Sequence, residues 1–439
     1  MTIRQIGALL RARKLSCVEL IDQTLADIHQ RDRFNSFITL TADLARSEAR
    51  ERDRELTAGV DRGPLHGVPI AHKDLFYTRG IRTTAGSLLF RDFIPDSDAA
   101  VVERLRSAGA ISLGKTNLHE LAYGITSKNP HYGFVLNPRD PARVAGGSSG
   151  GSAALVAAGL LPMCTGTDTG GSIRIPASFC GIVGLKPTYG LVSRLGVLPL
   201  SFSLDHVGPL AATVEDCALA MNAMADTGAP FDLPTLPNFD GLRLGVPKDF
   251  FFDRIQPEVA TAVQRTISSM EGRGARLIEV DLPNMADLYT TARIVQLAET
   301  ASLYARYTDG ALFGPDVWRL IQQAKSIAAH EYVNAQRIRT LFRRGFDRLW
   351  TRIDALATPA TPMPAPLLEQ ESIDFGKTQE ETRAAATRLV RGINLIGEPA
   401  LSLPCGATAD GLPFGLQLIA PPFADARLLQ IGRAVEALA

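Results

Sequence analysis

The chain has 439 residues, 46% hydrophobic and 21% charged, a balance that excludes a disordered polymer and allows a sizeable core. Lys plus Arg and Asp plus Glu both number 46, so no global field would draw the chain to nucleic acid or an anionic membrane, and a neutral or weakly charged small substrate fits better. Five widely spaced cysteines (Cys17, Cys164, Cys180, Cys217, Cys405) form no C-x-x-C pair, which argues against a disulfide framework or a zinc knuckle and points to a reducing cytoplasm.

The N-terminal MTIRQIGALLRARKLSCVEL lacks an uninterrupted apolar core of signal-peptide length, and no run approaches the ~18 apolar residues that cross a bilayer. With Leu, Ile and Ala recurring at three- and four-residue spacing, residues 1–57 read as helical. From Gly67 the texture changes. Short apolar runs, VPIA (68–71), AISLG (110–114) and LLPMC (160–164), alternate with helical text such as AAVVERLRSAG (99–109), as expected of an α/β fold. The Pro-rich GAPFDLPTLPNFDG (228–241) reads as a surface connection within one domain. LRLGVPKD, a helix from about Pro257 and ARLIEVDLP (275–283) follow as another strand–helix–strand unit. Residues 284–350 read as almost wholly helical. LSLPCG (401–406) and FGLQLIA (414–420) read as buried strands joined through an Asp-Gly turn. No internal repeat is visible.

Several motif matches fail on context. GAISLGKT, Gly109 to Thr116, fits a phosphate-binding loop by letters. However, a helix precedes it and its four middle residues are strand-like, so Lys115 and Thr116 are expected to end a strand and, with Asn117, to start the next helix. GSSGG (147–151) would make Ser149 the nucleophile of a strand–turn–helix elbow, with His206 or His330 as its base. The preceding NPRDPARVAG cannot be a central parallel strand. HEYVN and HELAY lack the second histidine of a zinc site, and His66 and His72 have no carboxylate frame.

Thr169-Gly170-Gly171-Ser172 fits an acyl-transfer site better. Two glycines let consecutive N–H groups converge on an oxyanion, and the hydroxyl of Ser172 is a nucleophile if a base takes its proton. No histidine is close in sequence. Lys73, after the apolar strand of LHGVPIAHKDLF, is either a base whose pKa burial depresses or a structural cation paired with Asp74; spacing does not choose.

GGSSGGSAA, GTDTGGSIRIPASFCGIVGLKPTYG and the upstream PIAHKD together resemble the amidase signature family. The likeness extends through GKTNLHELAYG, SLDHVGPLAATVED, NLIGEPALSLPCG and GLPFGLQLIA, covering most of the chain from about residue 60. The resemblance implies a single domain over residues 1–439, a large twisted mixed sheet covered by helices. Within it lie N-terminal helices (1–57), a catalytic core (60–225) and a helical substrate-pocket region (284–350). It implies a Ser-cisSer-Lys triad of Ser172 as nucleophile, Ser148 as relay and Lys73 as base; the 24-residue interval selects Ser148 over Ser149. It further implies a cis peptide after Gly147, an oxyanion hole from Thr169, Gly170 and Gly171, and bracing of that loop by Asp168 and Arg174. Tyr123, Gly124, Ile125 and Thr126 are expected to help build the pocket.

The implied activity is hydrolysis of C–N bonds through a serine acyl-enzyme with no metal or organic cofactor. The expected partner is a small amide, with no nucleic acid or membrane; a homodimer is compatible. The A subunit of the tRNA-dependent amidotransferase shares these blocks, but it carries an acidic residue before the NLxGxPA segment where AATRLVRGINLIGEP offers Arg388 and Arg391. The reading is therefore a stand-alone cytoplasmic amidase acting on small amides, anilides or carbamates, the alternative being the amidotransferase subunit.

Overall fold

Local chemistry sets the first two helices. The side chains of Thr2 and Ser16 each accept a hydrogen bond from the backbone N–H three residues on, while their own backbone N–H groups donate to the side chains of Gln5 and Glu19, starting helices Ile3–Arg11 and Cys17–Arg31. The computed structural model describes residues 1–438 except 226–229, 232 and 234–237.

Among the described residues eleven strands form one mixed sheet: β1 (Phe37–Leu40), β2 (Pro69–Lys73), β3 (Ile111–Thr116), β4 (Met163–Asp168), β5 (Val183–Lys186), β6 (His206–Ala211), β7 (Arg243–Pro247), β8 (Arg276–Val280), β9 (Ala355–Pro359), β10 (Ala400–Ala407) and β11 (Pro413–Ile419). Their spatial order is β1-β3-β2-β4-β6-β5-β10-β11-β9-β7-β8. β2 runs parallel to both β3 and β4, the helical crossovers supplying the return, whereas β10 and β11 form the antiparallel hairpin expected around the Asp-Gly turn. The α/β sheet covered by helices is thus the architecture the sequence implies. Strands β2, β3, β4 and β6 are buried along their whole length, which is why they read as near-continuous apolar or small-residue runs.

Three local expectations need correction. Residues 1–57 are not all helical: FITL forms β1, a four-residue edge strand paired with β3, too short to show a period of its own. The strand placed at LLPMC begins only at Met163 and continues through Gly166 to Asp168, where small residues fit between buried neighbours. No regular helix begins at Lys115–Asn117. The Asn117 side chain instead donates to the carbonyls of Asn35 and Gly133, and only a short turn, Glu120–Ala122, follows. Part of the Pro-rich connection lies outside the described residues; of its described residues, Phe231 and Phe239 are buried in the main core. Helices Met285–Tyr304, Pro315–Ala324 and Ala329–Trp350 occupy the stretch read as helical.

Candidate active site

Lys73 ends β2, between β3 and β4, and is fully buried. Its Nζ donates to Ser148 Oγ at 2.7 Å and to Thr167 Oγ1 at 2.7 Å. Among the described residues no carboxylate lies within ion-pair distance of it. The neighbour proposed as its partner, Asp74, pairs instead with the buried Lys115 at 3.2 Å. Burial disfavours the charged ammonium and lowers the Lys73 pKa to about 7, against the opposing pull of Asp168 and Asp205.

Ser148 precedes helix Gly150–Ala157, and the Gly147–Ser148 peptide is cis. A side chain at Gly147 would press within 3.0 Å of the Ile125 carbonyl carbon and the Ser127 amide, so only glycine fits there. Ser127 stitches the turn by donating to the Gly146 carbonyl (2.8 Å) and accepting from Gly150 N–H (3.2 Å). Ser127 lies outside the blocks that carry the resemblance, and Thr167, inside the GTDTGGSIR block, has no role assigned by the sequence; its place as the Lys73 partner comes from the pairing of β2 with β4.

Ser172 lies in the loop leaving β4. The Ser149 N–H donates to the Ser172 carbonyl at 3.3 Å and draws the two serine loops together. Ser172 keeps 6% exposure while Ser148 and Lys73 have none, so of these three side chains Ser172 alone reaches solvent. Gly171 has φ +117°, and a Cβ there would run into Val390 and Ile175. Its N–H donates to Asp168 Oδ1 (2.8 Å) and is therefore occupied. The N–H groups of Thr169, Gly170 and Ser172 have no acceptor among the described residues and are the donors left for an incoming oxygen.

Beneath the loop, Arg174 and Asp168 form a fully buried pair at 2.9 Å. Arg174 also donates to Gln417 Oε1, Asn394 Oδ1 and the Val390 carbonyl, and Asn394 Nδ2 donates to Asp168. Burial pushes the Asp168 carboxyl up, but Arg174, Asn394 and Lys186 outweigh it and hold it well below the ordinary carboxylate range. Thr169 Oγ1 donates to Asp205 at 2.6 Å, and Asp205, raised to about 6 by burial, is itself held by the Leu200 and Ser201 amides.

Ser149 does not stand as an elbow nucleophile: its hydroxyl donates to the Thr167 carbonyl and is fully buried, while His330 is exposed on helix Ala329–Trp350. His206 Nδ1 pairs with the Leu204 carbonyl at 2.6 Å. His66 faces the Arg52 carbonyl and His72 faces Thr165.

Two cavities flank the loop. One, about 360 Å³, is lined by Thr167 and Thr169 and an apolar wall that includes Leu75, Val197 and Leu200. The other, about 230 Å³, is lined by Tyr123 and by residues of the 284–350 helices. Of the four residues Tyr123–Thr126, only Tyr123 faces that cavity. Gly124 packs on the His119 ring, Ile125 joins Ile175 and Val390, and Thr126 pairs with His119 Nδ1 at 3.3 Å. The two arginines before the NLxGxPA segment part company: Arg388 contacts Glu380 and the carbonyls of Phe250 and Arg254, while Arg391 lines the second cavity.

The A subunit of the glutamyl-tRNA(Gln) amidotransferase of Chloroflexus aurantiacus is 40% identical over 479 residues, covering 100% of this chain and 96% of that protein. A solved amidase superposes with TM-score 0.94 at 36% identity, covering 100% of both chains. The corresponding amidotransferase subunit of Thermotoga maritima gives TM-score 0.79 at 30% identity, covering 97% of this chain and 94% of that one. The amidase family model matches residues 19–429, and this chain belongs to the amidase family of carbon–nitrogen hydrolases.

Proposed function

We propose that the chain is a stand-alone hydrolase of small amides, with anilides and carbamates within its chemical reach, working through an acyl-enzyme on Ser172. The observation that carries this is a fully buried lysine with no carboxylate partner among the described residues, 2.7 Å from Ser148 Oγ. Neutral Lys73 takes a proton from Ser148 as Ser148 takes one from Ser172, whose oxygen adds to the acyl carbon. The oxyanion is received by the N–H groups of Thr169, Gly170 and Ser172; Gly171 serves by anchoring the loop on Asp168. When the C–N bond breaks, Ser148 protonates the departing nitrogen and regains its proton from Lys73. Water, deprotonated by the same relay, then cleaves the ester. Asp168 and Arg174 hold the loop, and Tyr123 with the 284–350 helices forms the substrate pocket. No cofactor enters any of these steps.

The second reading, the A component of an amidotransferase, is favoured by the 40% identity to the Chloroflexus aurantiacus protein. The stand-alone reading is supported by the nearer superposition on the amidase, TM-score 0.94 against 0.79. Purified chain, with chelator and without ATP, is expected to hydrolyse a panel of amides, anilides and carbamates. Glutaminase activity that rises sharply only on adding charged tRNA together with a second subunit would transfer the assignment to the amidotransferase.

A further inference from the structure

The cavity lined by Tyr123 is unusual in its charge. Arg293, Arg319, Arg383 and Arg391 all line it, against the single carboxylate of Glu381. Among the described residues none of the four guanidiniums makes a hydrogen bond or an ion pair; Arg174 and Arg388, by contrast, are both supplied with acceptors. Arg391 is 6% exposed, and its buried Nε has no acceptor among the described residues. Groups of this kind are costly to leave unpaired, because an N–H taken from water must regain an acceptor.

Aromatic rings, not acids, hold the inner pair. Arg383 Cζ lies over the Tyr123 ring at 5.0 Å and Arg391 Cζ over the Tyr289 ring at 5.3 Å, cation–π contacts that hold the two guanidiniums without using their N–H donors, which are left to receive an anion. The local field registers on Tyr289: burial works to raise its phenol, yet Arg391, the hydrogen bond with Thr387 and Arg293 bring it below its ordinary value. Exposed Arg293 and Arg319 at the mouth add attraction at longer range.

The cavity is also beside the reacting atoms. A Cβ built on Gly170 would lie 3.2 Å from Arg391 Nε, so the same arginine touches the oxyanion loop and the cavity floor.

We propose that this cavity binds a carboxylate of the substrate, so that the preferred substrate is an acidic amide such as the half-amide of a dicarboxylic acid, with its carboxylate a few atoms from the scissile carbonyl. The proposal rests on the amide-hydrolase reading above. An α-amino acid amide would bring an ammonium group into a field of four guanidiniums and is disfavoured.

The test compares succinamate with butanamide, its neutral counterpart. Wild-type kcat/KM is expected to favour succinamate by about 10- to 100-fold, the range of one or two charge-assisted hydrogen bonds. Arg391→Gln and, separately, the half-buried Arg383→Gln are expected to collapse that ratio, chiefly through KM. A ratio near one in the wild type, or one unchanged in both variants, would overturn the proposal. Calorimetry of the Ser172→Ala protein with succinate gives a readout independent of turnover. Saturable succinate binding that Arg383→Gln weakens supports the carboxylate site even if neither amide is hydrolysed, in which case only the hydrolase reading fails. No succinate binding, or tighter binding of inorganic phosphate, overturns it.

Discussion

Replacing Lys73 with methionine keeps the stem and removes the proposed base. With a pKa lowered from 10.5 to about 7, half of Lys73 is the neutral amine at pH 7. An ordinary lysine would be neutral in only about one molecule in three thousand, so burial raises the available neutral amine about a thousandfold, equivalent to about 4 kcal/mol. With Lys73 as the proposed base, activity requires its deprotonated form, so kcat/KM for a neutral amide should increase with pH, reaching about a tenth of its plateau at pH 6, half at pH 7 and levelling above pH 8. Lys73→Met should lose several orders of magnitude across the whole range.

Stability supplies a second readout. Between about pH 7 and 10.5 the unfolded wild type binds a proton that the folded protein does not, so wild-type stability falls as pH drops through that window and the penalty is constant below it. Lys73→Met has no such dependence. Its stability relative to wild type should therefore increase as pH falls from 10 to 7, offset by the loss of the hydrogen bonds to Ser148 and Thr167. A variant retaining more than about a tenth of wild-type activity, a deficit under about 1.4 kcal/mol, would refute Lys73 as the base, as would a profile flat from pH 6 to 8.

Ser172→Ala should abolish turnover, a larger loss than the ~10²–10³ of one oxyanion donor, and a fluorophosphonate should label Ser172 in peptide mass spectra; labelling at Ser149 would restore the elbow reading. Asp168→Asn leaves the buried Arg174 without its counter-charge and loosens the Gly171 and Ile173 amides. Urea unfolding should show a loss of about 3–5 kcal/mol, and a loss under about 1 kcal/mol would mean the pair does not brace the loop. Gly171→Ala forces a Cβ into Val390 and Ile175 at φ +117°. It should cost about 1–3 kcal/mol and most of the activity, measured by thermal unfolding and turnover together.

The blocks that carry the family resemblance are legible because close approach restricts the letters. Gly147 has backbone within 3.0 Å of any side chain it would bear, and Gly171 needs both positive φ and an empty flank. The α/β class was legible for a similar reason: strands buried on both faces leave a run that amphipathic helices do not. β1 and the true extent of β4 were not legible, because a four-residue edge strand is defined by its register with β3, and small residues such as Gly166 carry no strand preference of their own.

As letters alone, Lys73, Ser148, Ser172 and the glycines around them stand out as candidates to carry the chemistry. What Lys73 touches was decided only in three dimensions. Its sequence neighbour Asp74 is turned away to Lys115, because successive residues at a strand end project to opposite sides. Its hydrogen-bond partners come from 75 and 94 residues away, brought there by the parallel pairing of β2 with β4 and by the turn into helix Gly150–Ala157. Arg388 and Arg391, three residues apart and alike as letters, diverge because one finds Glu380 and backbone carbonyls while the other lies over Tyr289 in the cavity beside Gly170. Pairing and desolvation depend on what the rest of the chain places nearby, so one arginine is supplied with acceptors while the other has none among the described residues.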